Sequence, residues 1–130
     1  MSNLNAYKKT AVTTASKEQL LLMLYEAAIK YLKKAGECCQ KNDLAGKGVA
    51  VVKAIDIVNE LSNTLDFEVG GEIAKNLERI YAFVTDQITQ GNIENKHANF
   101  DQARKLMETL LDGWKGAVVQ LQQEKAGKRP

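Results

Sequence analysis

The chain reads as an all-α protein: an antiparallel up-down four-helix bundle preceded by an N-terminal arm. Three observations predict this. The one proline among 130 residues is the last, so nothing inside the chain removes a helix donor. Ala, Leu, Lys, Glu and Gln are common, and these favour helix. Apolar residues recur at spacings of three and four in four stretches joined by short breaks, which makes successive helices antiparallel neighbours. A length of 130 residues suits one domain with one core.

Residues 1–15 are Asn, Thr, Lys and Ala around three larger apolar anchors, Leu4, Tyr7 and Val12. Their periodicity is weak, and they read as a mobile arm. Ser16 then looks like an N-cap, with Gln19 completing a capping box and Glu18 in the positive first turn. Helix 1 is predicted over 17–40, with a stripe of Leu20, Leu21, Leu24, Ala27, Ala28, Tyr31, Leu32 and Ala35. Asn42-Asp43 is its turn signal. Helix 2 spans 44–65, loosened at its start by Gly46 and Gly48, on the face Val51, Ala54, Ile55, Val58, Leu61, Leu65. Gly70-Gly71 breaks the next connection. Helix 3 covers 72–90 with the stripe Ile73, Leu77, Ile80, Tyr81, Val84, Ile88, and Gly91 suits its left-handed end. Asn95 is placed to cap helix 4 over 96–123, whose stripe runs from Phe100 to Leu121. The bundle is thus expected over 16–124, with a polar disordered tail over 125–130.

Composition excludes several classes of function. The 18 Lys and Arg are interspersed with 16 Asp and Glu, so no stripe could neutralise many phosphates. Cys38 and Cys39 are adjacent and would point about 100° apart on a helix. They read as small reduced apolar residues, which suits a reducing cytoplasm. No signal peptide pattern opens the chain, and no apolar run approaches the ~20 residues that span a bilayer. His97 is the one histidine, and Glu94-x-x-His97 has no second copy, so neither a metal site nor any cofactor is expected. Gly46-Lys47-Gly48 is too short for a phosphate loop and follows no strand. One histidine at a helix start offers no catalytic pairing, so the chain does not read as an enzyme.

The apolar surplus is more informative. Leu20 to Tyr25 is apolar all the way round a helical turn, more than one packing face can use. Leu22, Met23 and Ile29 fall outside the main stripe of helix 1. Val49 and Val52 lie beyond that of helix 2, and Phe83 beyond that of helix 3. Single exposed hydrophobes are ordinary on any protein, and the arm could cover these in cis. A dimer interface is another use. The sharper reading is a groove for another chain's spaced apolar anchors.

The residues also resemble a known family. Ala6-Tyr7-Lys8 precedes Thr14-Ala15-Ser16-Lys17-Glu18-Gln19-Leu20. Met23-Leu24-Tyr25-Glu26, Lys53-Ala54-Ile55-x-Ile57, Leu65-Asp66, Asn76-Leu77, Ile80-Tyr81, Gly91-Asn92 and Asp112-Gly113-Trp114 follow in order. Together they resemble the flagellin export chaperones, the FliS family, over residues 6 to about 116. Lys17 stands where the family usually has proline or histidine. The resemblance implies a cytoplasmic chaperone that binds the disordered C-terminal region of flagellin. It would prevent premature polymerisation and present flagellin to the type III export gate. It also implies a role for Tyr7 in partner binding or groove covering. A flagellar regulatory protein is a further possible partner, and the chain is expected to be a monomer or weak homodimer. The alternative is a self-associating helical structural or adaptor protein using the same surface. Candidate partner-binding residues are Tyr7, Leu22, Met23, Tyr25, Ile29, Val51, Val52, Ile55 and Phe83. For Tyr25, Val51 and Ile55 the core is an equal alternative.

Overall fold

The computed structural model describes residues 16–127. The arm, with Leu4, Tyr7 and Val12, and the last three residues lie outside the described part. Four helices fill it: α1 Lys17–Gln40, α2 Leu44–Asn63, α3 Phe67–Glu94 and α4 His97–Gly127. Each packs on its neighbours in sequence, and α1 closes the bundle on α4. This is the all-α bundle that the periodicity predicts.

Local chemistry sets the boundaries. Ser16 caps α1, its Oγ accepting from the Gln19 amide at 3.1 Å. Asn42 takes a left-handed φ of 56° and turns the chain. Asp43 then caps α2 by accepting from the Gly46 amide at 3.0 Å. Helix α2 stops at Asn63, two residues before the expected end. There Thr64 turns its hydroxyl back to the Leu61 carbonyl at 2.7 Å.

Helix α3 departs most from expectation. Asp66 accepts from the Glu68 and Val69 amides at 3.0 and 3.1 Å and so starts a helical turn ahead of the glycines. Gly71 then breaks it with φ 51° and ψ −124°, a backbone only glycine adopts readily. The straight helix begins at Glu72, where it was expected, and runs on to Glu94 rather than Gln90. Gly91 is helical, not left-handed. Its lack of a side chain serves close packing instead, because a Cβ there would sit 3.1 Å from the Phe100 ring. The left-handed residue is Asn95, with φ 53°, and the Lys96 amide closes the turn on the Gly91 carbonyl at 3.0 Å. Asn95 thus ends α3 instead of capping α4. Helix α4 reaches Gly127, so residues 125–127 are helical and not part of a disordered tail; Glu124, Lys125 and Ala126 are all good helix formers.

The core is built on Tyr25, Leu32, Val58, Leu61, Tyr81, Val84, Ile88, Phe100 and Met107. Two polar aromatics lie inside it. The Tyr25 and Tyr81 hydroxyls hydrogen-bond to each other, and Trp114 donates its indole N–H to the Tyr25 hydroxyl at 3.0 Å. Among the described residues no buried side-chain polar atom lacks a partner. Both cysteines are free and buried, and burial pushes the Cys38 thiol up, away from the reactive thiolate.

Candidate partner-binding cleft

The start of α1, the α2–α3 turn and the end of α4 meet at one end of the bundle. Here the helices do not seal the interior. A cavity of about 240 Å³ opens between them, walled by Leu21, Leu65, Val69, Ile73 and Leu77, with Tyr81 and Trp114 at its base. A second depression, of about 410 Å³, lies on the α1 side between Leu20, Leu21, Leu24 and Thr64, with Lys17 and Glu18 at its rim. Leu21 and Thr64 line both, so the two depressions adjoin, and together they make up an apolar cleft.

Sequence produces this cleft in two steps. Asp66 commits residues 67–70 to a helical turn, and the Gly71 kink redirects the chain before α3 proper. The turn therefore carries its apolar residues out into solvent. Val69 is 87% exposed and Ile73 69%, and Phe67 is also exposed. Such groups are costly to leave in water unless something covers them. The base is rigid by contrast, held by the Tyr25–Tyr81–Trp114 hydrogen bonds. Burial is the main cause that pushes both phenols above the ordinary tyrosine range, so they stay neutral.

The residues proposed from sequence divide into three groups. Tyr25 and Val51 are buried, at 0% and 4% exposure, and belong to the core. They point at the bundle axis, so no partner reaches them in this fold. Leu22, Ile29 and Ile55 are half-buried and pack against the core. Ile29 also lines a depression between α1 and α4 with Glu26, Lys33 and Arg104. Met23, Val52 and Phe83 are exposed. They sit on α1, α2 and α3 respectively. Phe83 lines neither depression of the cleft. Tyr7 lies outside the described residues.

Several cleft residues escape a reading from sequence. Ile73, in the predicted core stripe of helix 3, is exposed, and Val69 falls in what the sequence reads as a connection. Leu20 and Leu24, read as core, are half-buried at the cleft wall. One signal was available: Phe67 and Val69 make the α2–α3 connection apolar, whereas connections are usually polar. Among the described residues no three His, Cys, Asp or Glu side chains come together as a metal site. No helix among them is long and apolar enough to cross a membrane.

A family profile described as Flagellar protein FliS matches residues 1–121. The chain belongs to the FliS family. It is 33% identical to the flagellar secretion chaperone FliS of Escherichia coli K12, over 85% of this chain and 82% of the relative. It is 34% identical to the protein of the same name from Salmonella typhimurium LT2, over 88% of each chain. Its fold is similar to a structure described as a flagellar chaperone from bacteria, with a TM-score of 0.75 and 19% identity over 91% of this chain and 98% of that one. FliS proteins are flagellar secretion chaperones and not enzymes. The rival reading, a self-associating structural bundle, is not favoured by this membership.

Proposed function

We propose that this FliS protein binds the disordered C-terminal segment of flagellin in the cytoplasm. It thereby keeps flagellin from polymerising early and hands it to the export gate. The open-end cleft is the docking site, and the exposure of Val69 and Ile73 beside it carries this reading. Ordering a free segment costs on the order of 2–5 kcal/mol or more. Burying about 200 Å² of apolar surface contributes about 5 kcal/mol at ~25 cal/mol per Å². A segment that fills the cleft and continues along the bundle offsets its own ordering. Met23 and Phe83 then serve as outlying contacts of a wrapped chain. Leu22, Ile29, Val52 and Ile55 do the same along the helix surfaces.

Residues 1–15 enter the bundle at Ser16, beside the cleft. We propose that Tyr7 and Val12, which lie outside the described residues, compete with flagellin for the cleft in the free protein. Such a cover lowers apparent affinity by the closed fraction. A flagellar regulatory protein could compete for the same surface.

The test is calorimetric titration of the full chain with a peptide of the flagellin C-terminal segment. A one-to-one complex with a negative heat-capacity change is expected. Emission from Trp114, the single tryptophan, should shift as the cleft fills. Absence of both heat and spectral change would remove the chaperone reading.

A further inference from the structure

The face between α1 and α2 changes chemistry along its length. At the open end it is apolar, at Leu20, Leu24 and Thr64. Towards the other end lies a depression of about 330 Å³ bordered by Lys30, Tyr31, Lys34, Val49 and Lys53. No carboxylate lines it. The ammonium groups of Lys30 and Lys53 lie 5.5 and 5.2 Å from the Tyr31 ring centroid. None of the three lysines makes an ion pair with a described carboxylate. Lys75, Lys96, Arg104, Lys105 and Lys115 all do. Two cations thus flank one aromatic ring and a third, Lys34, borders the same depression; the ring's negative face offsets their repulsion only in part.

We infer that this basic, aromatic depression is a subsite for carboxylate side chains of the bound segment. The identity of that segment as flagellin rests on the function proposed above; the subsite does not. One helical ligand can reach both ends of the face. Leu24 and Tyr31 are seven residues apart on α1, about 10 Å along a helix. An apolar anchor in the cleft therefore pairs with Asp or Glu about two turns away. Charge excludes the chain's own ends as occupants. Residues 1–15 carry Lys8 and Lys9 and no acid, and the C-terminal stretch sets Glu124 against Lys125, Lys128 and Arg129. A second copy docked symmetrically on this face would bring lysine against lysine.

Two amphipathic helical peptides test this. They share the same leucine anchors and carry either Glu or Lys about two turns from them. The Glu peptide should bind the wild-type chain about tenfold more tightly, ~1.4 kcal/mol. The gap should shrink to under about threefold near 1 M salt, where the Debye length falls to ~3 Å. It should shrink equally in the triple variant Lys30→Gln, Lys34→Gln, Lys53→Gln. These side chains are exposed and Gln is a comparable helix former, so melting should hardly move. Equal affinities, a gap that survives the triple change, or no binding of either peptide overturns the subsite. The flagellin segment separates the two ideas. Unweakened binding to the triple variant sinks the subsite and leaves the chaperone reading. No binding to wild type, with the peptide gap present, sinks the chaperone reading and keeps the subsite.

Discussion

The two ends of the bundle close by opposite means. At the end that holds both the α1–α2 and α3–α4 turns, polar groups do the joining. Lys47 is 5% exposed, and its ammonium donates to the Asn92 carbonyl at 3.0 Å and to the Asn95 side-chain oxygen at 2.9 Å. Asn95 in turn donates to Asn42 at 3.3 Å, tying one turn to the other. The cation sits at the negative end of the α3 dipole, which suits it. These polar groups are spent on partners within the chain. At the other end a single turn joins two helices, the backbone kinks at Gly71, and apolar side chains face water. Directional bonds seal a surface permanently, whereas exposed hydrocarbon leaves it ready for any chain of suitable shape.

The hardest test of this contrast strikes the core beneath the cleft, where Tyr25 bonds to the cleft residues Tyr81 and Trp114. Tyr25→Ala should lower unfolding free energy by about 3–5 kcal/mol in chemical denaturation. Loss of flagellin binding with unchanged stability would instead make Tyr25 a contact residue.

A smaller effect is expected at the sealed end. Lys47→Met keeps the stem but leaves the Asn92 carbonyl and Asn95 amide without their donor. It should reduce stability by about 1–3 kcal/mol while flagellin affinity stays within about twofold. A large affinity loss would mean the ends are coupled.

The open end should behave in reverse. The double change Val69→Asp, Ile73→Asp should weaken flagellin binding at least about tenfold, ~1.4 kcal/mol. Because both side chains are exposed, unfolding should move by no more than about 0.5 kcal/mol.

The mildest probe is alkaline pH. The fold holds Tyr25 and Tyr81 neutral, with both phenols pushed up by burial. Their contribution is fully present below about pH 10, the unfolded tyrosine value, and is lost as pH rises past it. The melting temperature should stay level up to that point and then fall. Tyr81→Phe should lower stability by about 1 kcal/mol near neutrality and make the alkaline fall shallower.

How much of this was legible varies with the range of the forces involved. The limits of α1 were readable, because Ser16 and Asn42-Asp43 act on adjacent backbone groups. The start of α3 was misplaced because the Asp66 cap and the glycine pair compete within six residues, and both prevail. Asn95 ends α3 although the sequence equally fits it as a cap for α4, since a polar residue between two helices can serve either. Tyr25 shows the same limit for the site: its apolar neighbours place it on a crowded turn of α1, but only its hydrogen bonds to Tyr81 and Trp114 put it in the core.

Helix number, order and the antiparallel bundle follow from spacing and capping, which are properties of neighbouring residues. The excess of hydrocarbon was also countable in the chain. Where that excess gathers was not. Leu21, Leu65, Val69, Ile73 and Trp114 come from four different elements and line one cleft because the bundle brings its ends together. Such a surface exists only once the helices have packed and the Gly71 kink has turned the chain, because burial depends on what lies across the gap.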